Sequence, residues 1–243
     1  MDAIDENGSL WCFSPSTSKW ALTSAHAGRR PEPRSYHAMV TDGKNTIYLH
    51  AGCPAKGRLS DLWAFDTESS TWTELPSAPG PARGGTSIAF SGGKLYRMGG
   101  FDGETEQGGS LDIYDPVAKT WSSLTFKPDD VEGPQARSVA ALLAVKTQRG
   151  RQVLVTLFGE HDPSSLGHAG AGKMLGDVWA FDVESQTWSR VKAAASKGDG
   201  VPPPRGWFAA DILKQEAGDA IIVHGGLAES NSRLGDVWKL QCL

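Results

Sequence analysis

The sequence contains few cysteines and no excess of basic residues. Its 3 cysteines, Cys12, Cys53 and Cys242, stand far apart, so they predict neither a disulfide framework nor a paired metal knuckle. The 24 lysines and arginines are outnumbered by 28 aspartates and glutamates, which leaves a formal charge of −4 and no surplus to neutralise phosphates. These shortages argue against a disulfide-rich secreted protein and against a nucleic-acid-binding protein.

Long hydrophobic runs are also missing. The longest apolar runs, 139–145 and 153–158, are far shorter than the roughly 20 residues that a membrane-spanning helix needs. Residues 1–6 are largely acidic and contain no apolar stretch of the signal-peptide type. With 39% hydrophobic and 21% charged residues, the chain can nevertheless bury a core. We therefore expect a folded, soluble, cytoplasmic protein with no membrane partner.

Tryptophan is abundant, and it marks an internal repeat. The chain has 9 tryptophans, and a phrase such as Asp-Leu-Trp-Ala-Phe-Asp returns along it, followed after 8 or 9 residues by a second tryptophan. The marked pairs are Trp11 and Trp20, Trp63 and Trp72, Ile113 and Trp121, and Trp179 and Trp188, with Trp238 in a last, shorter copy. A repeat of this kind is typical of a fold built from similar units side by side.

Each copy of the phrase predicts a β-hairpin. The alternating run 62–65 is typical of a half-buried strand, the polar residues 66–70 favour a turn, and 71–75 form the returning strand. Two further strands precede each complete hairpin, as 35–41 and 45–51 do here. Because no stretch combines helical periodicity with caps, the sequence predicts an all-β protein made of four-stranded antiparallel units.

The spacing of these units resembles the Kelch motif of β-propellers. Units recur about every 50 residues, and paired glycines follow the second strand at 99–100 and 225–226, with variants at 51–52 and 159–160. Glycine suits a sharp turn where backbones approach closely. The resemblance implies that the tryptophans pack between neighbouring blades.

The repeat pattern assigns 1–243 to a single Kelch-type β-propeller domain with about five blade positions. The predicted units are a partial blade at 9–23, complete blades at 35–75, 85–124 and 137–191, and a three-stranded blade at 206–241. Kelch propellers commonly have six blades, so about one and a half repeats are absent relative to such a ring. The chain is then either a shortened product of a longer gene or an open, incomplete ring.

An arginine in a Pro-x-Arg motif or a near variant opens each blade. These residues are Arg34, Arg83, Arg137 and Arg205. Four guanidinium groups at one level could bind a small anionic ligand, because arginine pairs with carboxylate, sulfate or phosphate through two parallel hydrogen bonds. Alternatively, each arginine pairs with a carboxylate or carbonyl inside the propeller. The aspartates that recur with the same regularity are Asp61, Asp112, Asp177 and Asp236.

A long glycine-containing loop at 158–172 is the most distinctive segment. Its two histidines and two carboxylates, which include Glu160, Asp162 and His168, suit Fe(II) or Zn(II). Loops of this length in compact domains are usually functional or disordered. The alternative is a structural loop in which Glu160 accepts hydrogen bonds from backbone amides and His168 acts as a capping side chain.

This loop resembles that of the plant specifier proteins of glucosinolate breakdown and their fungal Kelch relatives. In that family a Glu-x3-Asp-x3-His pattern holds iron. Glu160 and His168 match it, whereas Ser164 stands at the aspartate position and Asp162 lies two residues earlier. The resemblance implies an Fe(II) cofactor at Glu160, Asp162 and His168, with Ser164 as a departure from the family pattern.

The same resemblance implies a substrate site. The family's Arg-Gly-Trp pocket motif is matched by Arg205 and Trp207, and its substrate-binding arginines are matched by Arg34 and Arg83. Trp207 is the one tryptophan that stands outside the repeat positions described above.

Two classes of function follow, since a propeller fold does not fix function. The first is a Kelch-repeat binding or scaffold protein that holds a protein partner through the loops of one face. The second is a specifier-like lyase or isomerase that uses non-haem Fe(II) on a small anionic substrate in the propeller mouth. A weaker variant of the second is a metal-free cyclase or isomerase in the same pocket, so the sequence leaves open whether the protein is an enzyme.

Overall fold

The computed structural model describes residues 7–26, 28–167, 170–192, 194–195 and 200–241. Throughout these ranges the named elements are β-strands, which are joined by turns and loops. Over the same ranges no helix is long and apolar enough to cross a membrane. The prediction of an all-β protein is confirmed.

The described part of the chain contains 19 strands. An N-terminal hairpin consists of β1 (Leu10–Ser14) and β2 (Lys19–Thr23). The first complete blade consists of β3 (Ala38–Thr41), β4 (Thr46–Gly52), β5 (Leu59–Asp66) and β6 (Thr71–Leu75). The second consists of β7 (Ser87–Ser91), β8 (Lys94–Met98), β9 (Ser110–Asp115) and β10 (Thr120–Thr125).

The third and fourth blades follow in the same order. The third consists of β11 (Ala141–Lys146), β12 (Gln152–Leu157), β15 (Val178–Asp182) and β16 (Thr187–Arg190). Between β12 and β15 lies a two-stranded ribbon of β13 (Glu160–His161) and β14 (Lys173–Met174). The fourth blade has three strands, β17 (Ala209–Leu213), β18 (Ala220–Leu227) and β19 (Arg233–Gln241).

Each blade is an antiparallel meander, and the blades stand in chain order around an axis. The first strands of successive blades, β3, β7, β11 and β17, are neighbours in space. The hairpin β1–β2 packs against the first complete blade, where Leu10 contacts the cluster around Trp63. The four blades form a partial ring, which confirms the prediction of an incomplete Kelch-type propeller.

The recurring phrase forms its hairpin through one aspartate and one aromatic pair. Asp66 Oδ1 accepts hydrogen bonds from the amides of Glu68 and Ser69 at 3.1 and 2.7 Å, which closes the turn between β5 and β6. Across the hairpin Phe65 lies opposite Trp72, and their ring centroids are 4.9 Å apart. This cross-strand pair fixes the register of the two strands.

A pair of residues with positive φ lies at or just after the C-terminal part of the second strand of every blade. The pairs are Ala51–Gly52, Gly99–Gly100, Phe158–Gly159 and Gly225–Gly226. A Cβ on Gly99 would lie 2.4 Å from the carbonyl oxygen of Arg137 in the next blade, so glycine permits this close approach. The predicted variant at 159–160 is wrong by one residue, because φ is 57° at Phe158 and 108° at Gly159.

The apolar core lies between adjacent blades rather than in one central cluster. Between the second and third blades, Tyr96 and Leu111 pack with Leu142 and Phe181. Similar clusters fill the other two junctions between blades and the space beside the N-terminal hairpin. This is the arrangement that stacked, twisted sheets with apolar faces require.

The tryptophans follow the expected packing only in part. Trp63, Trp72 and Trp179 are buried, as the resemblance implies. In the N-terminal hairpin, however, Trp11 and Trp20 are 56% and 65% exposed, so the expectation is wrong there. The difference arises because this hairpin contacts one blade, through Leu10, and leaves its other face uncovered by the described residues.

Backbone hydrogen bonds run from blade to blade around the axis. The amide of Gly85 donates to the Tyr36 carbonyl at 2.9 Å, that of Val139 to Gly85 at 2.8 Å, and that of Trp207 to Val139 at 3.1 Å. Each of these four residues has a positive φ and occupies the same position in its blade. This chain of bonds brings the Tyr36, Val139 and Trp207 side chains together at the propeller mouth.

Candidate functional site

The arginine that opens the third blade is buried and bound within that blade. Arg137 is 1% exposed, and its Nη1 and Nη2 donate to Asp177 Oδ1 and Oδ2 at 2.9 and 2.7 Å. Nη1 also donates to the Phe158 carbonyl at 3.0 Å. The Trp179 indole donates to Asp177 Oδ2 at 2.7 Å. Arginine, aspartate and tryptophan therefore form one buried unit.

The same unit recurs in the first and fourth blades. Its members there are Arg34, Asp61 and Trp63, and Arg205, Asp236 and Trp238. Burial alone would raise the pKa of the Asp177 carboxyl, but the hydrogen bonds and charge of Arg137 hold it below its usual value. The hydrogen bonds from Arg205 likewise hold the pKa of Asp236 far below its usual range.

The second blade departs from this pattern. Ile113 replaces the tryptophan, and Asp112 is bound by Arg97 rather than by Arg83. The Arg83 guanidinium is buried and donates to the carbonyls of Pro81 and Gly99, each at 3.1 Å. Burial and the nearby Arg97 charge lower the pKa of Arg83 to about 10. All four blade-opening arginines thus donate to carboxylates or carbonyls of their own blades. This is the structural alternative to binding an anionic ligand.

A cavity of about 500 Å³ opens at the propeller mouth, above this layer of arginines. Side chains from all four blades line it, together with the loop between β13 and β14. Its lining includes Tyr36, Phe101, Glu106, Glu160, Ser164 and Trp207. Of the sequence-predicted site residues, Glu160 and Trp207 line the cavity, whereas Arg34, Arg83, Arg137 and Arg205 do not.

Aromatic rings form part of the cavity wall. The rings of Tyr36 and Trp207 meet edge to face, with centroids 5.5 Å apart and planes at 83°. The Arg58 guanidinium of the first complete blade lies 5.0 Å from the centroid of Phe101 in the second. Gly103 leaves room for it, because a Cβ there would lie 2.6 Å from Arg58 Nη1. Part of the cavity wall is therefore aromatic surface, with one guanidinium at its side.

Two carboxylates also face this cavity. Glu160 is 7% exposed, and its Oε1 accepts a hydrogen bond from the Gly172 amide at 2.6 Å. Glu106 is half-buried, and the Ser138 hydroxyl lies 3.5 Å from its Oε1. Burial raises the pKa of Glu106 to about 6, and the negative charge of Glu160 acts in the same direction. These two acids share a site that contains little positive charge.

The remaining predicted metal ligands are not brought to Glu160 by the described residues. The Asp162 side chain is 71% exposed and lies 3.3 Å from His161 Nε2, while His161 Nδ1 is 2.8 Å from the Ala136 carbonyl oxygen. His168 lies outside the described residues. Among those that are described, no group of three histidine, cysteine, aspartate or glutamate side chains could hold a metal ion. By themselves they do not fit an iron centre.

Sequence reasoning missed most of the cavity wall. Tyr36 occupies the blade position of Trp207, since Pro-Arg-Ser-Tyr at 33–36 corresponds to Pro-Arg-Gly-Trp at 204–207. Aligning the blades with each other could have identified it. Phe101 occupies the blade position of Glu160, because each pairs with the residue that follows the blade-opening arginine, so the same alignment could have identified it. Glu106 lies further along this loop, where the loops of the blades differ in length, and no sequence signal marked it.

Comparison with known proteins identifies the repeat. The model of the KLHDC2/KLHL20/DRC7 Kelch-repeats domain matches residues 3–226. The N-(sulfonatooxy)prop-2-enimidothioate sulfolyase of Thlaspi arvense is 26% identical over 89% of this chain and 65% of its own length. Kelch domain-containing protein 3 of Bos taurus is 27% identical over 95% of this chain and 57% of its own.

A plant acyl-CoA-binding protein is also similar. Acyl-CoA-binding domain-containing protein 6 of Oryza sativa subsp. japonica is 28% identical over 86% of this chain and 30% of its own length. The chain thus spans between 30% and 65% of these relatives. The match to the sulfolyase agrees with the narrower resemblance to specifier proteins. Because the family model covers most of the residues, this chain belongs to the Kelch-repeat family of β-propeller proteins.

Proposed function

We propose that this Kelch-repeat protein is a binding module whose recognition site is the mouth cavity. The observation that carries the proposal is the cavity itself, which all four blades line beside an axial chain of backbone hydrogen bonds. Its volume of about 500 Å³ lies within the range of about 300–1,000 Å³ typical of ligand sites. That space accommodates one or two side chains of a partner protein.

The rigidity of the frame supports this proposal. The buried arginine–aspartate pairs hold the three blades that contain them, and the pockets of binding proteins are usually preformed. Relatives that carry Kelch repeats support an interaction role, since such domains generally mediate contacts between proteins. We place the module in the cytoplasm, and the free thiols of Cys12 and Cys53 support a reducing compartment.

A selection from a random peptide library tests the proposal. Ser165 lines the cavity and is exposed, so the large ring of Ser165→Trp should fill the mouth without displacing a buried side chain. Val117→Trp places the same ring on an exposed turn between β9 and β10 and serves as the matched control. We expect peptides selected on the wild type to lose binding to Ser165→Trp and to keep it with Val117→Trp. Equal binding to both variants would contradict the proposal.

A specifier-like lyase or isomerase is the second candidate. The similarity to the sulfolyase and the position of Glu160 in the cavity favour it. Such a function would require a further ligand from outside the described residues, where His168 lies. Iron analysis of protein purified anaerobically without chelator tests it. Stoichiometric iron that is lost in Glu160→Ala and in His168→Ala would favour the lyase, and absence of iron from the wild type would reject the iron-dependent form.

A further inference from the structure

We propose that the mouth cavity binds a cationic group, a lysine or arginine side chain of the partner, between Glu106 and Glu160. This inference rests on the proposed binding function and specifies its ligand. It reverses the charge expected from the sequence, where the blade-opening arginines suggested an anionic ligand. The carboxylates would act as acceptors for the ammonium or guanidinium hydrogens.

The charges around the cavity support a cation. The carboxylates in the lining are Glu104, Glu106 and Glu160, and its one guanidinium is Arg58, so the described lining carries more acid than base. Glu160 forms no ion pair with any described residue, although it is almost completely buried. A buried carboxylate without a counter-ion is costly, and an incoming cation would relieve that cost.

The arginines near the cavity do not supply the missing positive charge. Arg137 and Arg205 are buried in ion pairs with aspartates of their own blades, and Arg83 faces the charges of Asp112 and Asp102. Arg58 stacks on Phe101, and its charge acts on Asp102 and on the Cys53 thiol. The carboxylates of Glu106 and Glu160 therefore have no ion-pair partner among the described residues.

The walls of the cavity suit the alkyl part of such a side chain. Lysine and arginine carry an apolar stem that packs against aromatic surface, while the charged end is held by polar partners. Tyr36 and Trp207 provide that surface on one side of the cavity. Aromatic faces also attract cations directly, which adds to the effect of the carboxylates.

Titration with short capped peptides tests the proposal. The probes are N-acetyl-Gly-Gly-X-Gly-Gly-amides in which X is arginine, lysine, citrulline or glutamate, so that X carries the only charge. Citrulline keeps the shape of arginine without its charge. We expect saturable binding of the arginine and lysine peptides in calorimetry, and at least about tenfold weaker binding of the citrulline peptide, because a charged hydrogen bond is lost.

Variants of the two acids locate the effect. Glu106→Gln and Glu160→Gln should each weaken the arginine peptide about tenfold, and the amide of the latter can still accept the Gly172 hydrogen bond. Glu132→Gln is the control, because Glu132 is exposed and pairs with Lys127 away from the cavity. If Glu160→Gln fails to fold, Glu106→Gln still tests whether the cavity binds a cation.

The outcomes separate this inference from the proposed function. If the glutamate peptide binds best and Ser165→Trp blocks it, the mouth is a binding site but the cation is wrong. If the arginine and citrulline peptides bind equally, charge recognition is likewise rejected. If library peptides bind the wild type and Ser165→Trp equally, the mouth is not the binding site, and both proposals fail.

Discussion

Arg97 and Asp112 form a buried ion pair in the second blade, with Nε and Nη2 of the arginine 3.0 and 2.5 Å from the same oxygen, Oδ2. In the other three blades the corresponding aspartate is held by the arginine that opens the blade. Because Arg97 binds Asp112 in the second blade, the described hydrogen bonds of the Arg83 side chain go to backbone carbonyls. The recurring aspartate is therefore paired with the blade-opening arginine in three blades and with a different arginine in the second.

This difference predicts unequal effects of removing the two arginines. Arg137→Met leaves the buried Asp177 without its ion-pair partner, so we expect a loss of about 3–5 kcal/mol in the free energy of unfolding. Arg83→Met leaves only carbonyl groups unpaired and should cost about 1–3 kcal/mol. Urea unfolding followed by tryptophan fluorescence measures both.

A double variant provides the control for this comparison. Adding Asp177→Asn to Arg137→Met removes the unpaired charge and should recover part of the loss. Equal destabilisation by the two single variants, or no recovery in the double variant, would show that the buried charge is not the source of the effect.

His50 predicts a pH dependence of stability. It is fully buried with Nδ1 2.7 Å from the Asp61 carbonyl oxygen, and burial together with the Arg97 charge lowers its pKa from 6.5 to about 3. Below pH 6.5 the unfolded chain binds a proton that the folded protein excludes. The free energy of unfolding should therefore fall as the pH decreases toward 3, by up to about 1.4 kcal/mol per pH unit from this residue.

Substitution of the two equivalent histidines isolates this contribution. His224 directly precedes the positive-φ pair in the second strand of the fourth blade, as His50 does in the first, but its side chain is exposed. Denaturant unfolding at several pH values between 4 and 7 should give a shallower slope for His50→Gln than for the wild type. His224→Gln should keep the wild-type slope, and identical slopes for all three proteins would refute the assignment.

The tryptophans on the fourth strands of two blades allow a matched comparison of stability. Trp121 Nε1 donates to the Pro76 carbonyl at 2.8 Å, which ties the second blade to the segment after β6. Trp188 occupies the same position in the third blade, and its buried Nε1 has no hydrogen-bond partner among the described residues. We expect Trp121→Phe to cost about 1 kcal/mol more than Trp188→Phe in thermal or urea unfolding. A larger cost for Trp188→Phe would contradict the role of this bond.

The fold followed from the sequence because its signals are local and repeated. Asp66 closes its turn with neighbours two and three residues away, and Phe65 pairs with Trp72 across the same hairpin. The glycine pair was assigned one residue too late in the third blade, because Phe158 adopts a positive φ that sequence patterns associate with glycine. The two-stranded ribbon β13–β14 also had no local signal.

The candidate site was predicted less well because it depends on long-range contacts. The regular spacing of Arg137 was visible in the sequence, but its pairing with Asp177, 40 residues later, decides whether it can bind a ligand. Glu106 reaches Ser138 and the surroundings of Glu160 only when two blades stand side by side. Such contacts have no periodicity along the chain, so composition and spacing could not place them.

The most direct test of the account is to locate the ligand within the propeller. Protein labelled with 5-fluorotryptophan gives fluorine NMR signals that single Trp→Phe variants can assign. On titration with a library-selected peptide, we predict a saturable shift of the Trp207 signal, since its ring lines the cavity, with the exposed Trp11 and Trp20 unchanged. Shifts confined to Trp11 and Trp20, with Trp207 unaffected, would place binding on the N-terminal hairpin and contradict the account.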